Sequence, residues 1–317
     1  MGNDPPRIVA LAGGVGGAKL AHGLYQALPA DCLTVVVNTA DDFVHWALHI
    51  SPDLDTVMYT LAGIANETTG WGVADETWSA LTAIGRLGGE TWFRIGDQDL
   101  ATHIRRTEAL RSNGTLTDVT LELSRALGIR ARLLPMSDAR VMTMVETTDG
   151  LLAFQDYFVR RGHRDQVVGI HLDGIERAAP TAQVVTAIQD ATALVLCPSN
   201  PIVSIGPILA LPGLRSFIAG SDVPRVAISP LVGGKALRGP ADTMMAALGH
   251  ESSALGVARL YQGLITGMVI DHADAAHQHA IRALGMDVLV TDTIMHSLAD
   301  RRRLAVDVLD WCGALAG

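Results

Sequence analysis

Two short apolar runs, each ending in a loop built for ligands, constrain this chain more than anything else in it. Residues 8–20 read IVALAGGVGGAKL and residues 35–42 read VVVNTADD. Arg7 to Leu11 reads as a buried strand, Ala18 to Leu28 as a helix and Leu33 to Asn38 as a second buried strand of β-branched and apolar residues. Parallel strands joined by a helix make a right-handed crossover. Sheets built that way carry helices on both faces. Further strands are expected at Val167 to His171, Leu194 to Cys197, Arg225 to Ser229, Gly267 to Ile270 and Val288 to Val290, with helices between them and a last helix from His296 to Gly313. The expected class is α/β: an open, mostly parallel, Rossmann-like sheet flanked by helices, one domain over residues 1–317.

Two features depart from strict alternation. Residues 53–128 are mostly helical in pattern, with helices expected at Asp75 to Leu87, Asp97 to Ser112 and Thr117 to Leu127, each opening on a capping residue. They read as an insertion or lid over the sheet edge. Met142 to Glu146 and Leu151 to Phe158 flank Thr148-Asp149-Gly150, a hairpin signal.

The composition of 49% hydrophobic and 18% charged residues suits a core-rich globular chain. A net charge of −9 opposes nucleic acid as a partner. Cys32, Cys197 and Cys312 are far apart and lie in or beside apolar runs, as buried free thiols do in a reducing compartment. The start MGNDPPR lacks a basic segment followed by an apolar run, and Ala193 to Leu211 is broken by three prolines. A cytoplasmic protein with no membrane partner is expected.

Four motifs carry chemistry. Gly13, Gly14, Gly16 and Gly17, followed by Lys19, form a strand-to-helix turn whose backbone N–H groups and helix dipole suit phosphate. It matches neither the P-loop nor the G-x-G-x-x-G pattern; the plain alternative is a tight turn without ligand. Asn38-Thr39-Ala40-Asp41-Asp42 follows a strand, where open α/β sheets place ligands. Its two carboxylates suit Mg²⁺, which takes one or two carboxylates plus phosphate oxygens. Asp53 and Asp55 follow in the first turn of a helix opened by Ser51-Pro52, where dipole complementarity alone also explains them. Pro198-Ser199-Asn200-Pro201 offers hydroxyl, amide and backbone groups just past a strand. Gly233, Gly234, Lys235 and Arg238 form a glycine-rich loop with two of the few cations, suited to phosphate or carboxylate. Trp71, Trp78 and Trp92 offer stacking surface or, more commonly, core packing.

In this order the segments GGVGGAKL, NTADD, SPDLDTVMYTLAG, WGVADETW, GDQDLATH, LLPMSD, PSNPIVSIGPIL and SPLVGGKALRGPAD resemble the CofD/FbiA family, the 2-phospho-L-lactate transferases. The resemblance spans essentially the whole chain. It implies transfer of a phosphorylated three-carbon acid (2-phospholactate, phosphoenolpyruvate or 3-phosphoglycerate) from its guanosine diphosphate diester to the terminal hydroxyl of the deazaflavin Fo, with release of GMP, in coenzyme F-420 biosynthesis. It implies Mg²⁺ as cofactor, held by Asp42 and Asp55. Asp41 and Asp42 are the expected catalytic pair, Asp41 either completing the metal shell or accepting the hydroxyl proton. The phosphate and nucleotide site is expected on Gly13, Gly14, Gly16, Gly17, Lys19, Ser199 and Asn200, with Asn38, Trp71, Asp97, His103, Gly233, Lys235 and Arg238 as further substrate contacts and the helical insertion as the deazaflavin pocket. A homodimer is the default assembly. The competing reading is a YvcK-like regulator that binds nucleotide sugars without catalysis; binding of Fo separates the two.

Overall fold

The structure, a computed structural model, describes residues 5–316. Its centre is a seven-stranded sheet of β1 (Ile8–Ala12), β2 (Leu33–Val37), β3 (Arg132–Pro135), β4 (Ala193–Leu196), β5 (Arg225–Ile228), β6 (Gly267–Ile270) and β7 (Asp287–Val290). The spatial order is β3-β2-β1-β4-β5-β6-β7, every pairing parallel. This is the doubly wound order, and the direction of winding reverses between β1 and β4. The expected class holds.

Alternation across the pleat explains why the strands read as continuous apolar runs. In β1, Val9 and Leu11 enter the core on one face, and Ile8, Ala10 and Ala12 enter the core on the other. The second core is roofed by α1 (Gly14–Ala27), α2 (Pro52–Ala62) and the C-terminal helix Leu298–Ala316. Within the stretch 53–128, α2 contributes Leu54, Val57, Met58 and Tyr59 to that core, and α5 (Leu116–Ala126) contributes Leu116 and Val119. Between them lie α3 (Ser79–Arg86), which buries no residue, and α4 (Asp97–Arg111).

Several boundaries differ from the sequence reading, each for a local reason. α1 starts at Gly14, inside the glycine turn: Gly16 and Gly17 lie in its first turn, while Gly14 itself has φ 58°. α3 starts at Ser79 rather than Asp75; Asp75 has φ 53° and ends a turn. The caps are also exchanged. Asp97 accepts from the N–H groups of Ser79 and Ala80 at the start of α3, and Glu76 accepts from those of Gln98 and Asp99 at the start of α4. Val167 to His171 is strand, but it extends to Asp173 and belongs to a separate antiparallel sheet with Met142–Thr147 and Gly150–Ala153. Leu151 to Phe158 is strand only to Ala153, and Asp156–Arg160 is π-helical. Edge strand β3 and the hairpin Phe43–His45/Leu48–Ile50 were not anticipated. That hairpin turns on Trp46 and Ala47, both at positive φ, without the glycine that usually marks such a turn.

The glycine turn is a steric necessity at Gly16. A Cβ there would stand 2.3 Å from the Pro198 carbonyl oxygen. Gly16→Ala is therefore expected to cost about 1–3 kcal/mol of stability by overpacking the β1–β4 junction, read as a lower urea midpoint. An unchanged midpoint would show that the junction is looser than this contact. Among the described residues, no helix is long and apolar enough to cross a membrane.

Candidate functional site

Ligands of doubly wound sheets bind where the winding reverses, beyond the carboxyl ends of the strands. Here that place lies between the loops after β1 and β4. Ser199 joins them, its hydroxyl accepting from the Gly13 N–H at 3.0 Å and donating to the Gly13 carbonyl at 2.7 Å. Asn200 Oδ1 caps its own turn by accepting from the N–H groups of Ile202 and Val203. Its amide nitrogen has only the Met244 sulfur at 3.8 Å, so it is the freer donor of the two expected residues.

The loop after β2 and the first turn of α2 bring four aspartates together, and their partners sort them into two groups. Asn38 donates to Asp53 Oδ2 at 3.0 Å and to the Val203 carbonyl at 3.2 Å, and accepts from the Ala40 N–H at 3.0 Å. Its amide is thus spent on fixing Asp53 and its own loop. Asp53 is also held by the Gly14 N–H, yet burial, with Asp42 nearby, still raises its carboxyl to about 6. Asp41 is buried as well; loss of solvent, then the neighbouring Asp53, pushes it well above the usual carboxylate range. One oxygen of Asp41 and one of Asp42 are buried without a hydrogen-bond partner.

Asp42 and Asp55 already have basic or hydroxyl partners from the protein. The other oxygen of Asp42 takes the Ser51 hydroxyl at 2.7 Å and His49 Nε2 at 2.9 Å. Burial nonetheless raises its carboxyl, with His49 opposing. Asp55 has both oxygens on the guanidinium of Arg106, which is 1% exposed. Burial would lower Arg106, but Asp55 overcomes it and holds the guanidinium charged. His103 lies 3.7 Å from Asp55 and 3.2 Å from Asp99, and the Tyr59 hydroxyl donates to Asp99 at 2.7 Å. Asp55, Asp99 and His103 place three potential ligand atoms within 4.8 Å of one another. Arg106 and Tyr59 already occupy that cluster, so it reads as an internal ion network docking α4 on α2.

Of the remaining expected residues, Lys19 and Arg238 meet in one pocket beside α1 and the others scatter. Lys235 is exposed on a two-residue ladder whose turn is Gly233-Gly234, and the Gly233 N–H donates to Asp274 at 3.1 Å. Arg238 reaches the carbonyls of Thr68 and Thr69. Trp71 lies on that same loop and is 42% exposed. Asp97 is at the surface; bonds from Thr77, then the α3 backbone, hold it down at about 2. His103 is buried in the Arg106 network rather than open to solvent.

Sequence reading missed Arg106, His49 and the aromatic neighbours of Trp92. Phe43 stands edge-on to Phe93 with ring centres 4.8 Å apart, and His45 packs edge-on to Trp92 at 5.3 Å. The signal for Arg106 was present: Asp99, His103 and Arg106 fall at i, i+4 and i+7, one face of one helix.

The family profile described as 2-phospho-L-lactate transferase CofD matches residues 8–306. A 2-phospho-L-lactate transferase of Methanosarcina mazei is 39% identical over 298 residues, covering 94% of this chain and 98% of its own. A phosphoenolpyruvate transferase of Streptomyces griseus is 46% identical over 286 residues, 88% of this chain and 90% of its own. Another phosphoenolpyruvate transferase, from Kitasatospora aureofaciens, is 44% identical over 312 residues, 95% and 97%. Among solved structures, a member of the UPF0052 family from Bacillus halodurans superposes with a TM-score of 0.66 over 97% of this chain and 100% of its own, at 16% identity. That last likeness concerns the fold alone.

Proposed function

The chain belongs to the CofD family of 2-phospho-L-lactate transferases, and from that premise we propose that it transfers a phosphorylated three-carbon acid from a guanosine diphosphate diester to the terminal hydroxyl of the deazaflavin Fo, releasing GMP, as a step of coenzyme F-420 biosynthesis. The observation that carries this reading is the match over nearly the full length to relatives named as transferases. The regulator alternative has no comparable support. Of the three acids, phosphoenolpyruvate is favoured, because the relatives named for it reach 46% identity against 39% for those named for 2-phospholactate.

The chemistry asks the protein mainly to align two substrates and to manage charge. The attacking hydroxyl forms a bond to the distal phosphorus while the bond to GMP breaks. The donor lies at the winding reversal, its distal phosphate on the first-turn N–H groups of α1 beyond Gly14, whose own N–H holds Asp53, and on the Asn200 amide. The acceptor lies toward the hairpin and the rings of Phe43, Trp92 and Phe93. The proton released by the attacking hydroxyl passes to whichever of Asp41 and Asp42 the cation leaves free.

Mg²⁺ fits the carboxylates present. Three buried acids without a guanidinium on them, two bearing oxygens that lack any partner, are costly unless a cation joins them. We place it on the partnerless oxygens of Asp41 and Asp42 with Asp53 beside them, a set whose ligand atoms are less closely drawn together than those of Asp55, Asp99 and His103. Asp55, expected beside Asp42, is engaged by Arg106. When bound, the cation would stabilise charge on the diphosphate.

The test is incubation with Fo, Mg²⁺ and each of the three guanosine diphosphate-activated acids, with the product identified by mass. A product carrying one of the acids on Fo is expected, the phosphoenolpyruvate adduct forming fastest. No adduct from any donor would end the transferase reading. The default homodimer is read by light scattering on the same sample.

A further inference from the structure

On the side of α1 that faces the C-terminal helix, Val15 and Lys19 meet Asn66 and Glu67 of the loop after α2, Arg238, and Arg301. The Arg301 side chain is 3% exposed; it pairs with Glu67, and its Nε has no partner. Lys19 donates to the Met295 carbonyl at 2.8 Å, and Arg238 donates to the carbonyls of Thr68 and Thr69. Carbonyls satisfy hydrogen bonds but cancel no charge. Three cations therefore share a single carboxylate, Glu67, which is 62% exposed and largely screened by solvent. Burial, then Arg301 and Arg238, holds the Lys19 ammonium below its usual range. In a chain of net charge −9, so concentrated an excess of positive charge is an electrostatic cost with no structural return.

We propose that this cavity binds a phosphoryl dianion, gripped by Lys19, Arg238 and Arg301. Two uncompensated positive charges match a dianion, and guanidinium forks match phosphate oxygens. The free space between these groups, partly open to solvent, is about 10 Å³, room for one water. The anion thus enters when Arg238 leaves the two carbonyls and turns onto it. In its present position the arm packs against Gly70, where a Cβ would stand 2.5 Å from Arg238 Nη1 and 3.0 Å from Val15. Arg301 belongs to the C-terminal helix, so the pocket couples that helix to the glycine turn. The identity of the phosphate's bearer rests on the transferase reading, under which it is the nucleotide; a free phosphate is the other source.

Calorimetric titration with inorganic phosphate tests the pocket without Fo or donor, so its failure and that of the transferase reading are separable. Wild type is expected to bind phosphate, and Arg301→Gln to weaken it by about tenfold or more. Arg301→Lys, which keeps the charge and protects against a folding artefact, is expected to lose less. Competition between GMP and phosphate for one site would assign the pocket to the nucleotide; independent binding of both would assign it to free phosphate. No phosphate binding by wild type, or affinity within twofold of wild type in both Arg301→Gln and Lys19→Met, would overturn the proposal.

Discussion

Asp53→Asn is expected to lower transfer of the acid to Fo by about two orders of magnitude or more while making the cation-free protein more stable at neutral pH. The two effects share one cause. In the fold the Asp53 carboxyl takes up its proton at about 6, against 3.8 for the ordinary group, chiefly because it is buried. The folded chain binds that proton more tightly than the unfolded chain does. Its contribution to stability is therefore complete below about pH 4 and is lost as pH rises through about 6, amounting to about 3 kcal/mol. Asparagine never ionises and so escapes the loss. Between pH 4 and 7, without divalent cation, the melting temperature of the variant should fall less steeply than that of wild type. Asp41 and Asp42 are raised in the same direction, so some slope remains. Mg²⁺ should stabilise wild type and do much less for the variant. Equal Mg²⁺ stabilisation of both proteins would remove Asp53 from the cation site.

Arg106→Met is expected to destabilise the fold by about 3–5 kcal/mol, the largest stability effect of any single change proposed here. The guanidinium is sealed under α2 and α4 with Asp55 on both its forks, and its removal strands a carboxylate with no water to solvate it. The second half of the prediction separates charge from packing. Adding Asp55→Asn to Arg106→Met should recover a substantial part of the loss, because the stranded charge is gone, whereas a pure packing defect would simply add. Urea denaturation of the four proteins of this cycle measures the difference. Losses that sum without coupling would mean that the pair contributes little beyond shape.

The sheet was legible because fully buried parallel strands are short unbroken apolar runs, and runs such as Val35–Val37 have no other reading. β3 was missed because Arg132 and Pro135 at its ends resemble a loop, and an edge strand needs fewer apolar residues. The hairpin at 43–50 was missed because its turn is made by Trp46 and Ala47, not by glycine or asparagine. Motifs located the aspartates correctly at the strand's end, but spacing could not say which way each side chain turns. Asp53 and Asp55 are two residues apart at the start of α2 and face different neighbours, Asn38 in one case and Arg106 in the other. The partner that decides the matter, Arg106, is 51 residues further along the chain. Asp97 misled for a related reason: it begins one helix but its carboxylate serves the helix before it.

The hydroxyl of Ser199 touches a backbone made 186 residues earlier. Such a seam can close only after synthesis has passed β4, so the first half of the polypeptide leaves the ribosome with its acidic loop and glycine bend facing water and nothing opposite. Partnerships this distant along a chain are slow to find. A fragment ending before Ala193 should therefore be unable to hold nucleotide at all, however well its own helices and strands form.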